Sequence, residues 1–187
     1  MQIGQGVSRL SPLDRWRHSG RDDPVPAHAG AAGLGRPADV PPAPAKVNLT
    51  VMSGEDLEKH LTGLFGRRGY TVWPVPSRGE VAAAILICRG EQGVVVQVKR
   101  WNAPLGPEVV RAVLTAVNHH AGTLGRLGCS QIGGMVVATA PFTPEARQLA
   151  AGSGVLLWDR QELEAQILAD MSRPGAADPK AAAQNGR

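Results

Sequence analysis

Apolar residues recur along the middle of the chain with two spacings, and each spacing predicts a different kind of element. Downstream of Ser53, a good helix-capping residue, apolar positions recur at helical spacing as far as Gly69, which favours the end of a helix. Three apolar runs follow, and the turn-forming residues between them indicate strands. The helical positions are Leu57, Leu61, Leu64 and Phe65, and the predicted strands span 70–75, 83–88 and 94–99.

The second half of the chain alternates predicted helices with predicted strands. The residues suited to open helices are Pro107, Thr143 with Pro144, and Asp159 with Glu162. The predicted strands between these helices span 135–139 and 155–158. Strands separated by helices favour parallel pairing, whereas the first three strands favour an antiparallel meander. The sequence therefore predicts an α/β fold with a mixed central sheet flanked by helices.

The two ends of the chain differ in composition from the middle. Residues 1–50 are rich in Gly, Pro and Ala without a sustained apolar period, and residues 171–187 share this character. We therefore predict one domain at 51–170, between a linker-like or disordered N-terminal segment and a disordered C-terminal tail. Basic and acidic residues balance within 51–170, at eleven each, so the net charge of +4 arises from the end segments. Any contact of the domain with a polyanion must then come from a local basic patch.

Several classes of protein are disfavoured by what the sequence lacks. No apolar stretch is long enough for a transmembrane helix, and the N-terminus lacks the apolar core of a signal peptide, so we expect neither membrane insertion nor secretion. No P-loop occurs, so we expect no nucleotide cofactor. Cys88 and Cys129 have no metal-ligand spacing and are expected to be reduced thiols in a cytoplasmic protein.

The third predicted strand carries the most informative polar residues. Side chains on a strand alternate between two faces, so Gln97 and Lys99 share a face with Val95 while the neighbouring valines share the other. An amide and an ammonium at the end of a valine strand are costly to half-bury without a partner. Either the strand emerges into solvent here, or the two side chains belong to a site.

Separated pieces of sequence between Leu57 and Leu163 occur in the order and spacing of one known family. The pieces are Leu57-Glu58, Gly79-Glu80 with the apolar run after it, and the stretches 96–101, 136–139, 141–146 and 154–159. The most specific are the Gln97-x-Lys99 pair and the block 141–146. Together they resemble the Mrr-type restriction endonuclease domain of the PD-(D/E)xK nuclease superfamily. The resemblance implies a restriction endonuclease-like mixed sheet and hydrolysis of DNA phosphodiester bonds with Mg²⁺ or Mn²⁺.

The sequence departs from that family at the metal site. The family's metal-binding Asp falls on Ala84, and no Asp occurs between Asp56 and Asp159. Glu80, in the same loop, and Glu58, on the first helix, match other acidic positions of the family and are the remaining candidates for metal ligands. Each is alternatively a solvated acid beside a turn or a helix.

The resemblance implies a role for each remaining candidate residue. Lys99 would position the attacking water or steady the phosphate, Gln97 would help hold the hydration shell of the metal or the lysine, and Glu80 would supply the missing charge. Trp101 would stack on a base or ribose, or else close an edge of the core. The candidates for DNA contact are Lys99, Arg100, Trp101, Arg67 and Arg68.

These observations favour a metal-dependent DNA endonuclease and leave two alternatives open. One is a catalytically impaired relative that binds DNA without cutting it, and the other is a protein-interaction domain whose site has decayed. The neutral charge of the domain favours the last of these. A homodimer is a further expectation, because nucleases that cut both strands commonly pair two sites.

Overall fold

The computed structural model describes residues 34–41, 47–76 and 84–172, and these form helices and strands in the predicted order. They are α1 (Gly54–Arg67), β1 (Thr71–Val75), β2 (Ala84–Arg89), β3 (Gln92–Lys99), α2 (Pro107–Arg126), β4 (Gln131–Ala138), α3 (Pro144–Ser153), β5 (Leu156–Trp158) and α4 (Arg160–Met171). None of these described helices has the length and apolar character to cross a membrane.

The five strands form one mixed sheet in the order β1-β2-β3-β4-β5. β1 with β2 and β2 with β3 pair antiparallel, whereas β3 with β4 and β4 with β5 pair parallel. The predicted α/β class and mixed sheet are therefore confirmed. Because of this topology, the end of β1, the start of β2 and the end of β3 meet at one edge of the sheet.

Two layers of helices cover the sheet. On the face named here the α1 face, α1 and α4 cover a core that includes Val94, Val96 and the fully buried Trp158. On the opposite face, the α2 face, α2 and α3 cover the side chains that alternate with these, among them Val95 and Val136. β3 is thus buried on both faces along most of its length, as its run of valines requires.

Helix starts follow the capping signals in the sequence. Oγ of Ser53 accepts a hydrogen bond from N of Asp56 (3.0 Å), and Oγ1 of Thr143 accepts one from N of Ala146 (3.2 Å). Gly69, which follows α1, has a φ of +82°, a backbone conformation that favours glycine.

β4 is longer than the predicted strand 135–139, because the glycine-rich residues before it are also paired in the sheet. Their glycine content reflects close packing rather than a loop. A Cβ atom on Gly134 would lie 3.1 Å from a methyl group of Val117 and 3.3 Å from one of Val113. The missing side chain therefore allows α2 to pack close to the sheet.

Parts of the N-terminal segment predicted to be linker-like pack against the domain. N of Ala38 donates to O of Val72 (2.8 Å), O of Pro41 accepts from Nη1 of Arg67 (2.7 Å), and Leu49 is buried. Residues 1–33, 42–46 and 173–187 lie outside the described part of the chain, so the predicted domain limits stay a prediction.

A buried ion pair joins the end of α1 to the end of α4. Nη2 and Nε of Arg67 both donate to Oδ2 of Asp170, at 2.7 and 2.9 Å. The side chains are 11% and 2% exposed, so both charges are largely removed from water. A charge that is buried in this way strongly destabilises the folded protein if its counter-ion is removed.

Asp170→Ala is expected to lower the free energy of unfolding by about 3 kcal/mol, because it leaves the Arg67 guanidinium buried without its counter-ion. Urea denaturation followed by circular dichroism measures the change. The matched control on the same helix is Glu164→Ala: Glu164 is 56% exposed and 3.9 Å from Arg160, so its loss should cost under about 0.5 kcal/mol. Equal effects of the two variants would contradict a structural role for the buried pair.

Candidate active site

The candidate site lies where β3 emerges from the core on the α2 face. Gln97 and Lys99 are the last two residues of β3 that point to this face, and they pair in register with Val136 and Ala138 of β4. On the opposite side of β3, Ile85 of β2 pairs with Val96. Ala84 precedes Ile85, so the same antiparallel register puts Ala84 beside Gln97. Ala84, on which the resemblance places the family's metal-binding Asp, therefore lies next to Gln97 in the sheet.

Gln97 is buried with an unsatisfied acceptor. Its side chain is 2% exposed, and its Oε1 atom finds no hydrogen-bond partner among the described residues. A buried amide oxygen without a partner costs roughly 1–3 kcal/mol, and such groups are rare in native proteins. An unsatisfied acceptor next to a candidate site is suited to bind a water molecule or a cation.

Lys99 is half-buried and has no ion-pair partner within the described ranges. Its main chain is fixed, because its carbonyl oxygen accepts a hydrogen bond from N of Thr139 (3.1 Å). The strand is anchored in this way, so the side chain of Lys99 starts from a fixed point of the backbone beyond Gln97. The positive charge of Lys99 is therefore available to an anionic group that is not among the described residues, such as a bound phosphate.

Trp101 lies just beyond Lys99 and is 57% exposed. Its main chain is bound on both sides by one hydroxyl, since N of Trp101 donates to Oγ1 of Thr139 (3.2 Å) and the same hydroxyl donates to O of Trp101 (3.1 Å). The indole is thus held at the mouth of the site with much of its surface free, which suits stacking on a base or ribose.

Two arginines converge on Thr50 beside this region. Nη2 of Arg100 lies 3.4 Å from O of Thr50, and Nη1 of Arg160 lies 3.4 Å from its Oγ1. Arg160 also donates from Nε to O of Thr139 (3.3 Å). These contacts are long, so both guanidinium groups keep donors for another acceptor. Arg160 was not predicted from the sequence. It lies two residues after β5, a strand parallel to β3, and this position puts it at the same edge of the sheet.

Glu58 lies in the layer of α1, on the side of the sheet opposite Gln97 and Lys99. It is half-buried, and burial, with a smaller effect from the nearby Glu55, raises the pKa of its carboxyl group. Within the described ranges, no cluster of three or more His, Cys, Asp or Glu residues could hold a metal ion. Glu58 therefore has no acidic cluster around it there.

Arg67 and Arg68 are separated from Lys99 and are engaged within the protein. Arg67 binds Asp170, and Arg68 donates from Nη1 and Nη2 to Oε1 and O of Gln166, at 2.7 and 2.9 Å. O of Arg68 accepts from Arg89 (3.4 Å), which lies at the β2–β3 turn, the end of the sheet opposite Lys99. The structure therefore groups Lys99, Arg100 and Trp101 but does not bring Arg67 and Arg68 to them.

The described residues fit a divalent cation in part. An amide oxygen such as Gln97 Oε1 is an acceptable ligand for Mg²⁺, which uses only one or two protein carboxylates alongside waters and phosphates. Ala84 offers no ligand, so a carboxylate must come from another residue. Glu80, the sequence candidate, lies outside the described residues; it precedes Ala84 by four positions, a stretch that spans at most about 14 Å.

Comparison with known proteins identifies one family. The family model for Mrr_cat, described as a restriction endonuclease, matches residues 49–167. Searches of curated proteins and of solved structures found no match. The matched range covers every described strand of the sheet, the Gln97 and Lys99 pair and the first two thirds of α4. With well over half of its length matched by one family model, the chain belongs to the Mrr_cat restriction endonuclease family.

Proposed function

We propose that this chain hydrolyses DNA phosphodiester bonds at the end of β3, using Lys99, Gln97 and Glu80. One observation carries the proposal: Gln97 is 2% exposed, its Oε1 has no hydrogen-bond partner among the described residues, and it lies two residues from the half-buried Lys99 on the same face of the sheet. An apolar residue at position 97 would avoid the cost of a buried amide oxygen that lacks a partner, so a bound ligand is the better explanation of the glutamine. A bound phosphate with its attacking water would satisfy both groups.

The chemistry of the two side chains supports distinct roles. Lys99 carries donors and a positive charge, so it would orient the attacking water and stabilise charge on the phosphate in the transition state. Gln97 Oε1 would accept a hydrogen bond from water or contact a cation. A divalent metal held by Glu80 and Gln97 would stabilise the developing phosphoryl charge. DNA as the substrate agrees with the expected cytoplasmic location, and cleavage of both strands would favour a homodimer.

A second candidate function is DNA binding without cleavage. The feature that favours it is the buried Ala84, 5% exposed, on which the resemblance places the family's metal-binding carboxylate. Loss of several kcal/mol of transition-state stabilisation lowers a rate by about a thousandfold if no other ligand compensates. In that case Lys99, Arg100 and Arg160 would still attract the DNA backbone.

Plasmid nicking by the purified chain with Mg²⁺ or Mn²⁺ tests the proposal directly. Lys99→Ala and Glu80→Gln are each expected to reduce the rate by about a hundredfold or more, because each removes a charge used in the transition state. The matched control is Lys59→Ala, an exposed lysine paired with Glu55 on α1, which should cut at the wild-type rate. Nicking that persists in the Lys99→Ala protein would indicate a contaminating nuclease and reject the assignment.

Ala84→Asp tests whether this position faces the metal site. Without metal, the buried carboxylate should lower the free energy of unfolding by about 3 kcal/mol. Mn²⁺ should restore much of the Tm and increase nicking above the wild-type rate, because the new carboxylate lies beside Gln97. Ala84→Asn has the same shape without the charge and should gain little from the metal. Equal metal responses of the Asp and Asn variants in differential scanning fluorimetry would contradict a cation site here.

Arg160→Gln tests the basic patch that the structure places beside Thr50. Fluorescence anisotropy with duplex DNA, measured in EDTA over a salt series, should show weaker binding and a slope of log K against log salt that is shallower by about 1. Arg126→Gln, an exposed arginine at the far end of α2, is the control and should leave the slope unchanged. Identical slopes for wild type and Arg160→Gln would exclude Arg160 from phosphate contact.

A further inference from the structure

Cys88 and Cys129 come from separate parts of the chain and meet in the core. Cys88 lies in β2, and Cys129 lies in the connection between α2 and β4; their exposed fractions are 0% and 3%. Their sulfur atoms are 2.7 Å apart in a thiol–thiol hydrogen bond. The chain contains two cysteines in all, so each has one possible partner within the molecule.

Gly93 makes this contact sterically possible. It pairs with Cys88 across β2 and β3, and a Cβ atom at Gly93 would lie 2.9 Å from Cβ of Cys129 and 3.0 Å from its Sγ. Any other residue at position 93 would therefore collide with Cys129. The empty side-chain position lets the thiol of Cys129 reach the sheet beside Cys88.

The connection that carries Cys129 is held on both sides of the cysteine. N of Cys129 donates to O of Leu124 (3.0 Å), and N of Ser130 and N of Gln131 both donate to O of Glu91, at 2.9 and 3.0 Å. Oγ of Ser130 also donates to Oε2 of Glu91 (2.8 Å). These bonds fasten the connection to the β2–β3 turn, so the two sulfur atoms are held together by the fold.

The two thiols differ in acidity because they share a hydrogen bond. That bond lowers the pKa of Cys129, against the opposing effect of burial, and together with burial it raises the pKa of Cys88. The lowered pKa favours Cys129 as the thiol that ionises first, and the geometry alone lets either sulfur donate in the shared hydrogen bond. Redox-active pairs place a thiolate beside a resolving cysteine; here Cys129 is only 3% exposed, so the connection that carries it must open for a small oxidant to reach its sulfur.

We propose that Cys88 and Cys129 form a reversible intramolecular disulfide when the protein meets a peroxide. In the first step the Cys129 thiolate attacks a peroxide oxygen: the S–O bond forms, the O–O bond breaks, and hydroxide leaves and takes up a proton. In the second step the sulfur of Cys88 attacks the sulfenic acid, the S–S bond forms, and water carries away the oxygen and the Cys88 proton. Two electrons pass from the thiols to hydrogen peroxide, which becomes two water molecules, and an external dithiol reverses the change.

The disulfide would act on stability rather than on the candidate active site. Cys88 pairs with Gly93 near the β2–β3 turn, whereas Lys99 lies at the opposite end of β3. The bridge would join residues 41 positions apart and so would restrict the unfolded chain. The expected effect is a rise in Tm of about 10 °C for a domain of this size.

Exposure of the purified full chain to hydrogen peroxide, followed by intact mass spectrometry, tests the inference. The expected product is a monomer lighter by about 2 Da, with no thiol that reacts with iodoacetamide after denaturation, and with full reversal by dithiothreitol. Peptide mapping of the wild-type protein should show the peptide containing Cys88 linked to the one containing Cys129. Scanning calorimetry of the oxidised and reduced forms then gives the change in Tm.

Cys88→Ser should stop the reaction at a sulfenic acid on Cys129, heavier by about 16 Da and trapped by dimedone. Two results would overturn the inference. One is a disulfide that joins two chains, and the other is wild-type protein in which both thiols still react with iodoacetamide after peroxide treatment and denaturation. The linked peptide is sought in the wild-type chain, so the inference stays testable even if the serine variant does not fold.

Discussion

The central strand β3 imposes the constraint on which the rest of the structure depends. It is hydrogen-bonded on both sides, to β2 and to β4, and helices cover both of its faces. A shift of one residue in its register would exchange the side chains of the two faces, so the register is strongly specified. Gln97 and Lys99 can therefore point only to the α2 face, at the point where the covering layers end.

The two faces of the sheet are packed differently, and the difference explains several features of the site region. The α1 face buries large side chains such as Met135 and Trp158, and Trp158 stacks on Phe65 with ring centroids 5.8 Å apart. The α2 face instead has glycines at 93 and 134, where Cys129 and α2 approach closely. The α2 face also holds the fully buried Trp73, so the close approach is confined to the positions of these glycines.

Local signals in the sequence were sufficient for the fold, because capping residues and apolar periodicity act over a few neighbouring residues. Ser53, Thr143 and Asp159 each cap the helix that they were expected to open. Local signals were insufficient for features that depend on packing between residues far apart in the sequence. The glycines of β4 resemble a loop until α2 is placed over them, and the packing of Ala38 and Leu49 on the domain has no periodic signature.

The candidate site likewise combines features that local sequence signals predict with features that depend on contacts between distant residues. The spacing of Gln97 and Lys99 was visible in the sequence, and the resemblance to a family gave it a meaning. Arg160 and Thr50 are separated by more than a hundred residues, and only the meeting of strand and helix ends at one edge brings them together. Arg67 and Arg68 show what the sequence leaves out: adjacent basic residues suggest a DNA contact, and the structure adds that both side chains also bind α4.

Ala84 and Gln97 affect binding and catalysis in different ways. An acidic residue at position 84 would repel phosphate unless a cation neutralised it, so alanine removes that repulsion while it weakens the site for metal. Lys99 then keeps its full attraction for a phosphate, because no described carboxylate pairs with it. Affinity for DNA should therefore depend mainly on Lys99 and the nearby arginines, whereas the rate of hydrolysis should depend on the carboxylate supplied by Glu80. Under the proposed function, binding and cleavage are separable properties of one site, because binding uses the cationic side chains whereas cleavage also needs ligands for the metal.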